Sequence, residues 1–392
     1  MTRTQVGIIG AGPAGLLLSY LLHGEGIDAV VLEARSRSYV EQRVRAGVCE
    51  HPTVELLTEL GLGDRLAREG LPHHGFSLRF DGEDHRIALT ELTGKSITVY
   101  GQQEIVKDLI AAHEAKGWPI EFEVSEVDIQ DLESDRPRLT YRDPRGGARE
   151  LVCDFVAGCD GFHGISRPAI PAGRLRTLDR EYPFAWLGVL AETPPSHEEL
   201  IYAHHERGFA LHSMRSPELT RLYLQVAPDE RLEDWPDERI WAELALRLET
   251  SGDFALHEGP LVDKGITPMR SFVTEPMAYR RLFLAGDAAH IVPPTGAKGM
   301  NLAVADVYAL SAALTEWVRH NRTELAESYS DTCLRRVWRA EHFSWFMTTM
   351  LHVDPGADEF ARRLQLSQLR YTASSAAAAT SLAENYVGLP FA

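Results

Sequence analysis

Three glycines near the amino terminus, Gly10, Gly12 and Gly15, have the spacing G-x-G-x-x-G, and an acid, Glu33, follows the last of them by eighteen positions. Gly10 permits a sharp turn, Gly12 removes the side chain where a pyrophosphate must approach, and Gly15 lets a helix pack closely on a strand. The Glu33 carboxylate can accept hydrogen bonds from a ribose 2′-hydroxyl. Because three glycines alone can mark an ordinary tight turn, the prediction of a dinucleotide site depends on the elements around them.

A second corner of the same chemical type lies far away in the sequence. The run 283–287 is apolar up to Gly286, which allows close backbone approach, and Asp287 then offers a carboxylate to a polyol hydroxyl. The segment 293–301 leads into a helix whose amino terminus would stabilise negative charge on the same ligand. An aspartate that caps a helix would give the same local pattern, so Asp287 by itself does not define a site.

The loop after Glu33 is basic although the chain as a whole is acidic. Arg35, Arg37, Arg43 and Arg45 lie within eleven residues. Such a run is most often a solvated surface. Its position directly after the ribose-binding acid is equally compatible with contact to phosphate.

The apolar pattern predicts the elements that position these residues. A strand before the glycine turn, a helix after it and a second strand that ends at Glu33 form a Rossmann-like unit. We also predict a hairpin over 76–86 that turns at Asp81-Gly82, and β-structure from 182 to 229. Helices are predicted over 53–70, 102–117, 237–250, 255–258, 298–318 and 322–370.

The predicted fold class is therefore α/β, with a Rossmann-like nucleotide-binding domain, an inserted β-sheet domain and a helical carboxyl-terminal region. The nucleotide-binding domain is discontinuous, over 1–71, 98–180 and 268–320. The inserted domain covers 72–97 and 181–267, and the helical region covers 321–392. A length of 392 residues is suited to more than one core.

Composition excludes several classes of function. A formal net charge of −17 disfavours binding to nucleic acid or to an anionic membrane. No run of about twenty uninterrupted apolar residues predicts a membrane-spanning helix. Four scattered cysteines without C-x-x-C spacing predict neither a disulfide framework nor a metal site, and they favour a reducing, cytoplasmic location.

Three motifs together resemble one enzyme family. GAGPAG at 10–15, CDGFHG at 159–164 and GDAAHIVPPTGAKGMN at 286–301 are similar to the single-component FAD-dependent aromatic hydroxylases, and the likeness extends to the end of the chain at 383–390. The resemblance implies a glutathione-reductase-like FAD-binding domain and a homodimer. The FAD-binding residues that it implies are Gly10, Gly12, Ala14, Gly15, Glu33, Arg43, Arg45, Val48, Gln102, Asp160, Gly286, Asp287, Gly299, Met300 and Asn301.

The resemblance also implies that NADH or NADPH is a transient electron donor. The residues expected to contact the nicotinamide nucleotide are Arg35, Tyr39, Arg43, Arg45, His163 and Arg270. The family's best-known members prefer NADPH and carry an Arg-Gln pair directly after the ribose-binding acid, whereas this chain has Ala34-Arg35. We therefore expect NADH to be usable or preferred.

The implied substrate is an aromatic acid, 4-hydroxybenzoate. By resemblance, Ser213, Arg215 and Tyr223 clamp its carboxylate, and a guanidinium suits this task because it offers two parallel donors. Taken alone, Arg215 would more often be a surface arginine.

A proton relay for the substrate phenol is implied in the same way. Tyr202 and Tyr386 would hydrogen-bond the phenol and deprotonate it, His73 would end the relay at solvent, and the backbone carbonyl of Pro294 would contact the phenol. Each tyrosine hydroxyl can both donate and accept a hydrogen bond. Without the resemblance, each tyrosine is more typical of a core residue and His73 of a surface residue.

The implied reaction is hydroxylation at the 3-position to 3,4-dihydroxybenzoate, with O2 and NAD(P)H consumed. Two alternatives remain open from the sequence. One is a hydroxylase of another aromatic acid, such as 3-hydroxybenzoate or 4-aminobenzoate. The other is a non-catalytic FAD-binding redox sensor.

Overall fold

The structure of the protein, a computed structural model, describes residues 2–45 and 47–391. The strands are β1 Thr2–Arg3, β2 Val6–Ile9, β3 Ala29–Leu32, β4 Val48–Cys49, β5 Leu71–His73, β6 Phe76–Phe80, β7 Glu83–Ile87, β8 Ile97–Val99, β9 Ile120–Glu121, β10 Ser125–Gln130, β11 Arg138–Arg142, β12 Ala148–Val152, β13 Phe155–Gly158, β14 Arg176–Ala191, β15 Leu200–Ala203, β16 Ala210–Ser216, β17 Leu219–Val226, β18 Leu261–Glu275, β19 Ala278–Tyr279, β20 Leu282–Leu284 and β21 His290–Ile291. The helices are α1 Pro13–Gly24, α2 Arg37–Gln42, α3 His51–Glu59, α4 Asp64–Glu69, α5 Leu89–Thr93, α6 Gln102–Lys116, α7 Asp237–Leu248, α8 Gly299–His320, α9 Glu324–Glu327, α10 Tyr329–Leu351, α11 Glu359–Ser374 and α12 Ala376–Val387.

A six-stranded sheet brings the three glycine motifs to one edge. Its order is β19-β20-β13-β2-β3-β9, and the strands from β20 to β9 are parallel. β2 and β13 are buried along their whole length, as expected for parallel strands covered on both faces. Because parallel strands end at the same edge, the residues that follow β2, β13 and β20 lie together, and ligands bind at such edges.

An eight-stranded sheet forms the second large layer, in the order β21-β18-β14-β17-β16-β15-β6-β7. Side chains alternate between its faces with the two-residue period of a strand. Along β14, Phe184 and Trp186 join a core that includes residues of α10, α11 and α12, whereas Ala185 and Leu187 join a core against α7. The sheet is therefore buried on both faces.

Two smaller sheets complete the fold. One has the order β1-β12-β11-β10. The other has the order β4-β8-β5, and it places Val48 at one side and His73 at the other. This three-stranded sheet connects the residues after the basic loop with the beginning of β6.

Several predicted elements need correction. The helix predicted over 53–70 is divided into α3 and α4, because Gly61 has a φ of +73° and ends the first helix. Residues 255–258 are not helical. The helix predicted over 322–370 is interrupted after α9 and again between α10 and α11, where the sequence Asp354-Pro355-Gly356 does not sustain a helix.

The predicted domain boundaries at 180/181 and 267/268 fall inside single long strands. β14 runs without a break from Arg176 to Ala191, and β18 runs from Leu261 to Glu275. The two strands pair along both halves, with register irregularities between 181 and 185 and between 190 and 191. The division into domains stays a prediction, and these two strands would cross it.

Over residues 2–45 and 47–391, no helix has the length and apolar character needed to cross a lipid bilayer. Cys49, Cys153, Cys159 and Cys333 are buried free thiols. The same residues contain no cluster of three or more His, Cys, Asp or Glu side chains arranged to hold a metal ion.

Candidate active site

The first glycine turn is fixed by two close backbone contacts. Gly10 has a φ of +104°, and a Cβ there would lie 2.4 Å from the carbonyl oxygen of Cys159. A Cβ at Gly15 would lie 1.9 Å from the carbonyl oxygen of Gly10. Both positions therefore require glycine for the loop and α1 to sit against the strands.

Glu33 lies at the same turn. Its Oε2 accepts a hydrogen bond from the Ala11 amide at 2.8 Å, and its Oε1 accepts one from the Arg35 amide at 2.7 Å. The carboxylate is thus held at the end of β3, where each oxygen retains a lone pair for a ribose hydroxyl.

The second glycine corner adjoins the first. Gly286 has a φ of +62°, and a Cβ there would lie 3.1 Å from the Ala303 Cβ and 3.8 Å from the Ala14 Cβ. Asp306, on α8, accepts a hydrogen bond from the Gly286 amide at 2.9 Å. The two corners, which lie about 270 residues apart in the sequence, therefore meet at the edge of the six-stranded sheet.

The edge has the properties that a dinucleotide requires. A Cβ at Gly12 or at Gly299 would meet no atom within 4 Å. Gly12 immediately precedes α1 and Gly299 begins α8, and neither helix has a side-chain cap or an acidic residue in its first turn. Free amide groups and the helix dipole at both amino termini favour an anion. The residues present fit the diphosphate and the ring of a flavin dinucleotide.

Substitutions at two glycines separate ligand binding from folding. We expect Gly12→Ala to leave the stability of the apoprotein unchanged but to weaken FAD binding at least about tenfold, because the new methyl group occupies space that only the ligand would fill. Gly15→Ala should destabilise the fold by about 3 kcal/mol, because its methyl group overlaps a backbone oxygen. Thermal unfolding of the apoprotein and FAD titration measure the two effects.

Gly24→Ala is the matched control for this pair. Gly24 is the last residue of α1, and a Cβ there would also meet no atom within 4 Å. It lies a helix length away from the glycine turn, so FAD affinity should stay within error of the unmodified protein, while stability should rise by at most about 1 kcal/mol. Equal FAD affinity in the Gly12→Ala and Gly24→Ala proteins would contradict the assignment of the edge.

Asn301 ties the basic loop to the start of α8. Its Oδ1 accepts hydrogen bonds from the Glu50 amide and from the Thr53 hydroxyl, both at 2.9 Å. Its Nδ2 donates to the carbonyl oxygens of Val48 and Ala297, both at 3.0 Å. Because these four bonds use the full capacity of the amide, Asn301 could contact a flavin only through its backbone.

Lys298 and Glu50 form a buried ion pair that the sequence analysis did not identify. The Nζ of Lys298 lies 2.6 Å from Oε1 of Glu50 and also donates to the backbone carbonyls of Asn385 and Tyr386. Burial lowers the pKa of Lys298, and Glu50 opposes this effect. The lysine between two glycines in the 286–301 motif is the feature of the sequence that could have identified Lys298.

Tyr202 and Tyr386 meet in the core of the protein. Their hydroxyl oxygens are 2.7 Å apart, and both side chains are buried. Burial raises the pKa of each tyrosine. Both hydroxyls are therefore protonated at neutral pH and can donate and accept along one line. The structure brings this predicted pair together although 184 residues separate its members.

The predicted carboxylate clamp lies on β16 and β17. Arg215 donates to the hydroxyl of Ser213 at 3.0 Å, and its Nε, which is buried, has no partner among the described residues. Burial alone would raise the pKa of Tyr223, but the guanidinium groups of Arg215 and Arg221 lower it. Burial lowers the pKa of Arg215.

Arg221 is a residue of this cluster that the sequence analysis missed. Its guanidinium carbon lies 5.3 Å from the centre of the Tyr223 ring. Residues two apart on a strand share a face, so the spacing of Arg221 and Tyr223 on β17 was the available signal. Arg221 is paired with Asp263 at 3.1 Å, whereas Arg215 forms no ion pair with a carboxylate among the described residues, so Arg215 gives the cluster a positive character suited to an anionic ligand.

His73 differs from its predicted position. It was expected at solvent, but it is 1% exposed, and neither ring nitrogen has a hydrogen-bond partner among the described residues. Burial lowers its pKa to about 4, so the imidazole is neutral at pH 7. Pro294 begins a short 3-10 turn, and its carbonyl accepts a hydrogen bond from the Ala297 amide at 2.9 Å.

The residues predicted to contact a nicotinamide nucleotide form two groups. In one, Phe162 lies against the ring of His163 and under the guanidinium of Arg270, at 4.9 and 4.8 Å. In the other, Tyr39 lies between the guanidinium groups of Arg35 and Arg43, at 5.3 and 5.7 Å.

The remaining predicted residues lie around the glycine corners. Arg45 reaches Asp287 across 3.8 Å. Asp160 follows β13 and accepts hydrogen bonds from the amide and hydroxyl of Ser166, while its buried Oδ1 has no partner among the described residues. Gln102 begins α6, and Met300 is buried in the first turn of α8.

A parallel sheet with a dinucleotide-binding edge, together with a buried tyrosine pair and an arginine cluster, is the arrangement expected of a nucleotide-dependent oxidoreductase. Comparison with known proteins identifies the family of oxidoreductases. The FAD binding domain family matches residues 3–344, and the chain belongs to this family. It is 48% identical over 390 residues, 99% of this chain and 96% of the relative, to "p-hydroxybenzoate hydroxylase" of Acinetobacter baylyi.

More distant relatives and solved structures agree on the fold. A "Probable NADH-specific resorcinol 4-hydroxylase" of Rhodococcus jostii is 24% identical over 83% of this chain and 61% of its own length. The crystal structure of p-nitrophenol 4-monooxygenase from Pseudomonas putida has a TM-score of 0.84 at 20% identity, over 99% of both chains. The predicted fold class, enzyme family and FAD cofactor are confirmed.

Proposed function

We propose that the protein hydroxylates 4-hydroxybenzoate at the 3-position, yielding 3,4-dihydroxybenzoate, with O2 and NAD(P)H consumed. The observation that carries this proposal is the pairing register of β15, β16 and β17. Tyr202 on β15 pairs with Leu211 on β16, and Leu211 pairs with Tyr223 on β17. Residues paired across strands share a face, and two strand spacings amount to about 10 Å. That span suits an aromatic ring with a phenol at one end and a carboxylate at the para position.

The surroundings of this span support the same ligand. Tyr202 and Leu211 belong to one apolar cluster, together with Phe76 and Trp186, and the half-buried Tyr223 packs against it. The phenol would lie at the neutral tyrosine pair and the carboxylate at Arg215 and Arg221. A meta-hydroxy acid such as 3-hydroxybenzoate does not place its two polar groups in line, and 4-aminobenzoate lacks the acidic phenol that a tyrosine relay serves. The name of the 48%-identical relative supports the para acid.

Each residue would have a definite task in this reaction. Arg215 would bind the carboxylate, and Ser213 would fix the guanidinium. Tyr202 would accept the phenol proton while its own proton passes to Tyr386, which leaves a phenolate whose ring carbon ortho to oxygen is electron-rich. When bound, the reduced flavin supplies an electrophilic oxygen atom derived from O2. The apolar wall excludes water that would divert this oxygen into hydrogen peroxide.

Substrate-stimulated oxidation of NADH or NADPH tests the proposal. We expect 4-hydroxybenzoate to accelerate oxidation strongly, with one 3,4-dihydroxybenzoate formed per nucleotide, and 3-hydroxybenzoate and 4-aminobenzoate to yield little product. Efficient hydroxylation of either of those acids would favour the alternative hydroxylase. If the FAD-loaded protein responds to no aromatic acid, a redox-sensing role would replace the enzymatic one.

We further infer that NADH is used at least as well as NADPH. Arg37, the cation nearest to the start of α2, is engaged by two carboxylates: Glu41 at 2.7 Å and Glu114 at 3.0 Å. A neutralised guanidinium offers little attraction to a 2′-phosphate. We expect kcat/KM for NADH to equal or exceed that for NADPH when the two are compared under one set of conditions.

Glu114→Gln is the matched test of this inference. It removes one of the two carboxylates that pair with Arg37, and glutamine keeps the shape of the Glu114 side chain. The change should lower the KM for NADPH roughly two- to fivefold, within the range of an exposed ion pair. The KM for NADH should stay constant. An equal effect on both nucleotides would show that Arg37 does not contact the position that distinguishes them.

We also propose a homodimer that forms through α11. Phe360, Leu364 and Tyr371 are spaced four and seven residues apart on one side of this helix, and they are 71%, 58% and 56% exposed. Aligned large apolar side chains of this kind mark an interaction surface. Phe360→Glu should produce a monomer in light scattering, whereas Val262→Glu, at an exposed apolar position on β18, should leave the dimer intact. A dimer that persists in the Phe360→Glu protein would exclude this face.

A further inference from the structure

We propose that Glu199, held in place by Arg86, is a positioning residue that connects the buried His73 with solvent and so completes the proton path from the substrate. This inference rests on the proposed function, because the proton comes from the substrate phenol. It extends the relay beyond the histidine at which the sequence analysis ended it.

His73 cannot exchange protons with bulk water where the structure places it. It ends β5, is 1% exposed, and has no hydrogen-bond partner at either ring nitrogen within the described chain. A buried imidazole with two unused nitrogens can pass a proton from one side to the other, but a group between it and the surface must receive that proton. The Glu199 carboxylate accepts a hydrogen bond from the backbone of Gly75, two residues after His73, and its charge raises the pKa of His73.

Glu199 and Arg86 form an ion pair that reaches from the turn after His73 to the surface. Its two carboxylate oxygens accept hydrogen bonds from Nε and Nη2 of Arg86, at 2.8 and 2.9 Å. The Glu199 side chain is 14% exposed and that of Arg86 is 44% exposed, so the pair extends from the interior to water. A Cβ at Gly75 would lie 2.8 Å from the Arg86 guanidinium carbon. The ion pair therefore lies directly against the turn that follows His73.

The topology explains why Glu199 and the tyrosine relay belong to one path. β15 and β6 are parallel and in register from Leu200 and Phe76 onward. Glu199 immediately precedes β15, and Tyr202 is three residues further along, or about 10 Å. His73 stands just before β6. The two strands thus begin beside the proposed exit and lead inward to the hydroxyl of Tyr202.

The electrostatics allow a proton to pass without being retained. Burial would raise the pKa of Glu199, but Arg86 and His73 lower it, so the carboxylate stays ionised. Burial lowers the pKa of His73 to about 4, opposed by Glu199, and the nearby His197 and His74 lower it further. At pH 7 the imidazole is therefore neutral, with one N–H, and the carboxylate is ionised, so neither group retains an additional proton.

Other charged groups face this path from neighbouring elements. His212 on β16 interacts with His73 and His197, and its pKa is lowered to about 3 by burial, so it is neutral. Glu91 on α5 lies 3.6 Å from Arg86, so the Arg86 guanidinium interacts with two carboxylates, those of Glu91 and Glu199. The amide of Glu199 donates to Nδ1 of His197 at 3.1 Å, which fixes the loop.

The proton balance is simple. The phenol loses one proton, Tyr202 and Tyr386 each receive one and give one up, and a bridging water delivers a proton to one nitrogen of His73. The other nitrogen releases a proton to the Glu199 carboxylate, which returns to its ionised form as the proton enters bulk water. One proton leaves the protein for each phenolate formed, and no redox change is involved.

Rapid mixing of the oxidised FAD-loaded protein with 4-hydroxybenzoate, in weak buffer with a pH-indicator dye, measures this release without turnover. We expect the unmodified protein to release a proton on binding and Glu199→Gln to do so at least about tenfold more slowly, with the binding constant unchanged. Formate, a small carboxylate base, should restore the rate. Arg86→Gln should slow release less, because the Glu199 carboxylate is still present but is no longer held in place by the guanidinium.

Glu198→Gln is the matched control, since Glu198 is the exposed neighbour in the same loop. It should release protons at the unmodified rate. Equal rates in the Glu199→Gln and Glu198→Gln proteins would overturn the inference. So would slow release that formate does not accelerate, because that result indicates a structural effect only. If the unmodified protein binds 4-hydroxybenzoate without releasing a proton, the proposed function fails instead.

Discussion

Replacing Arg215 by alanine is expected to weaken 4-hydroxybenzoate binding by roughly 100- to 1,000-fold, the largest loss of affinity of any single change at the site. Hydrogen bonds to a charged partner contribute about 1.5–3 kcal/mol each, and a guanidinium can offer two in parallel. A combined loss of about 3–4 kcal/mol corresponds to that change in Kd. Titration of the oxidised, FAD-loaded protein with 4-hydroxybenzoate gives the constant directly.

A ligand without the carboxylate separates loss of the clamp from general damage. 4-Methylphenol keeps the ring and the phenol, and the unmodified protein should bind it far more weakly than the acid. In the Arg215→Ala protein the two ligands should bind within about tenfold of each other. If the acid is still strongly preferred, another cation, with Arg221 the first candidate, supplies the clamp.

FAD affinity must be measured in the same variant. Arg215 donates to the Arg45 carbonyl at 3.4 Å, and a Cβ at Gly47 would lie 3.0 Å from the Arg215 guanidinium. The arginine therefore also supports the loop that precedes β4. Unchanged FAD binding would assign the whole loss to the substrate carboxylate.

The nucleotide-binding half of the molecule could be predicted from sequence because its signals are local. Gly10, Gly15 and Gly286 are required by backbone contacts or by positive φ angles, and such requirements leave only glycine at those positions. The spacing of the first motif and the acid at Glu33 follow from one strand–helix–strand unit. The family resemblance then joined the two corners, which the structure places side by side.

The substrate half could be predicted only through the resemblance. Tyr202 and Tyr386 are 184 residues apart, and neither has a neighbour in sequence that distinguishes it from a core tyrosine. Arg221 and Lys298 were missed because their partners come from other strands and from the carboxyl-terminal segment. The burial of His73 was also not predictable, because it depends on how β5 lies beneath the Arg86–Glu199 pair.

Breaks within long helical patterns were a further source of error. The pattern over 53–70 continues through Gly61, and the pattern over 322–370 continues across Asp354-Pro355-Gly356. In both places apolar periodicity persists on either side of the break, since the flanking helices bury their faces in the same core. Periodicity reports which residues are buried, whereas the backbone breaks are set by glycine and proline.

Replacing Tyr202 by phenylalanine is expected to leave substrate binding and nucleotide oxidation largely intact while the yield of 3,4-dihydroxybenzoate per NAD(P)H falls at least about tenfold. The variant loses the hydroxyl that lies 2.7 Å from Tyr386, and with it the group that would take the phenol proton. A neutral phenol is much less reactive toward an electrophilic oxygen than a phenolate, so most of the reducing power should appear as hydrogen peroxide. Oxygen uptake measured with and without catalase, together with chromatographic product analysis, quantifies this ratio.

Tyr182→Phe is the matched control for this loss of yield. Tyr182 is also a buried tyrosine of the eight-stranded sheet, and its hydroxyl lies 3.1 Å from Ser271 Oγ, outside the relay. Its removal costs about 1 kcal/mol of stability and should leave the product yield unchanged.

Spectra add an independent test, because substrate bound to the Tyr202→Phe protein should show no phenolate absorbance at a pH where the Tyr182→Phe complex does. Because both hydroxyls of the relay are needed in series, Tyr386→Phe should reproduce the Tyr202→Phe result. A Tyr202→Phe protein that still couples every nucleotide to product would show that the phenol is activated by some other group.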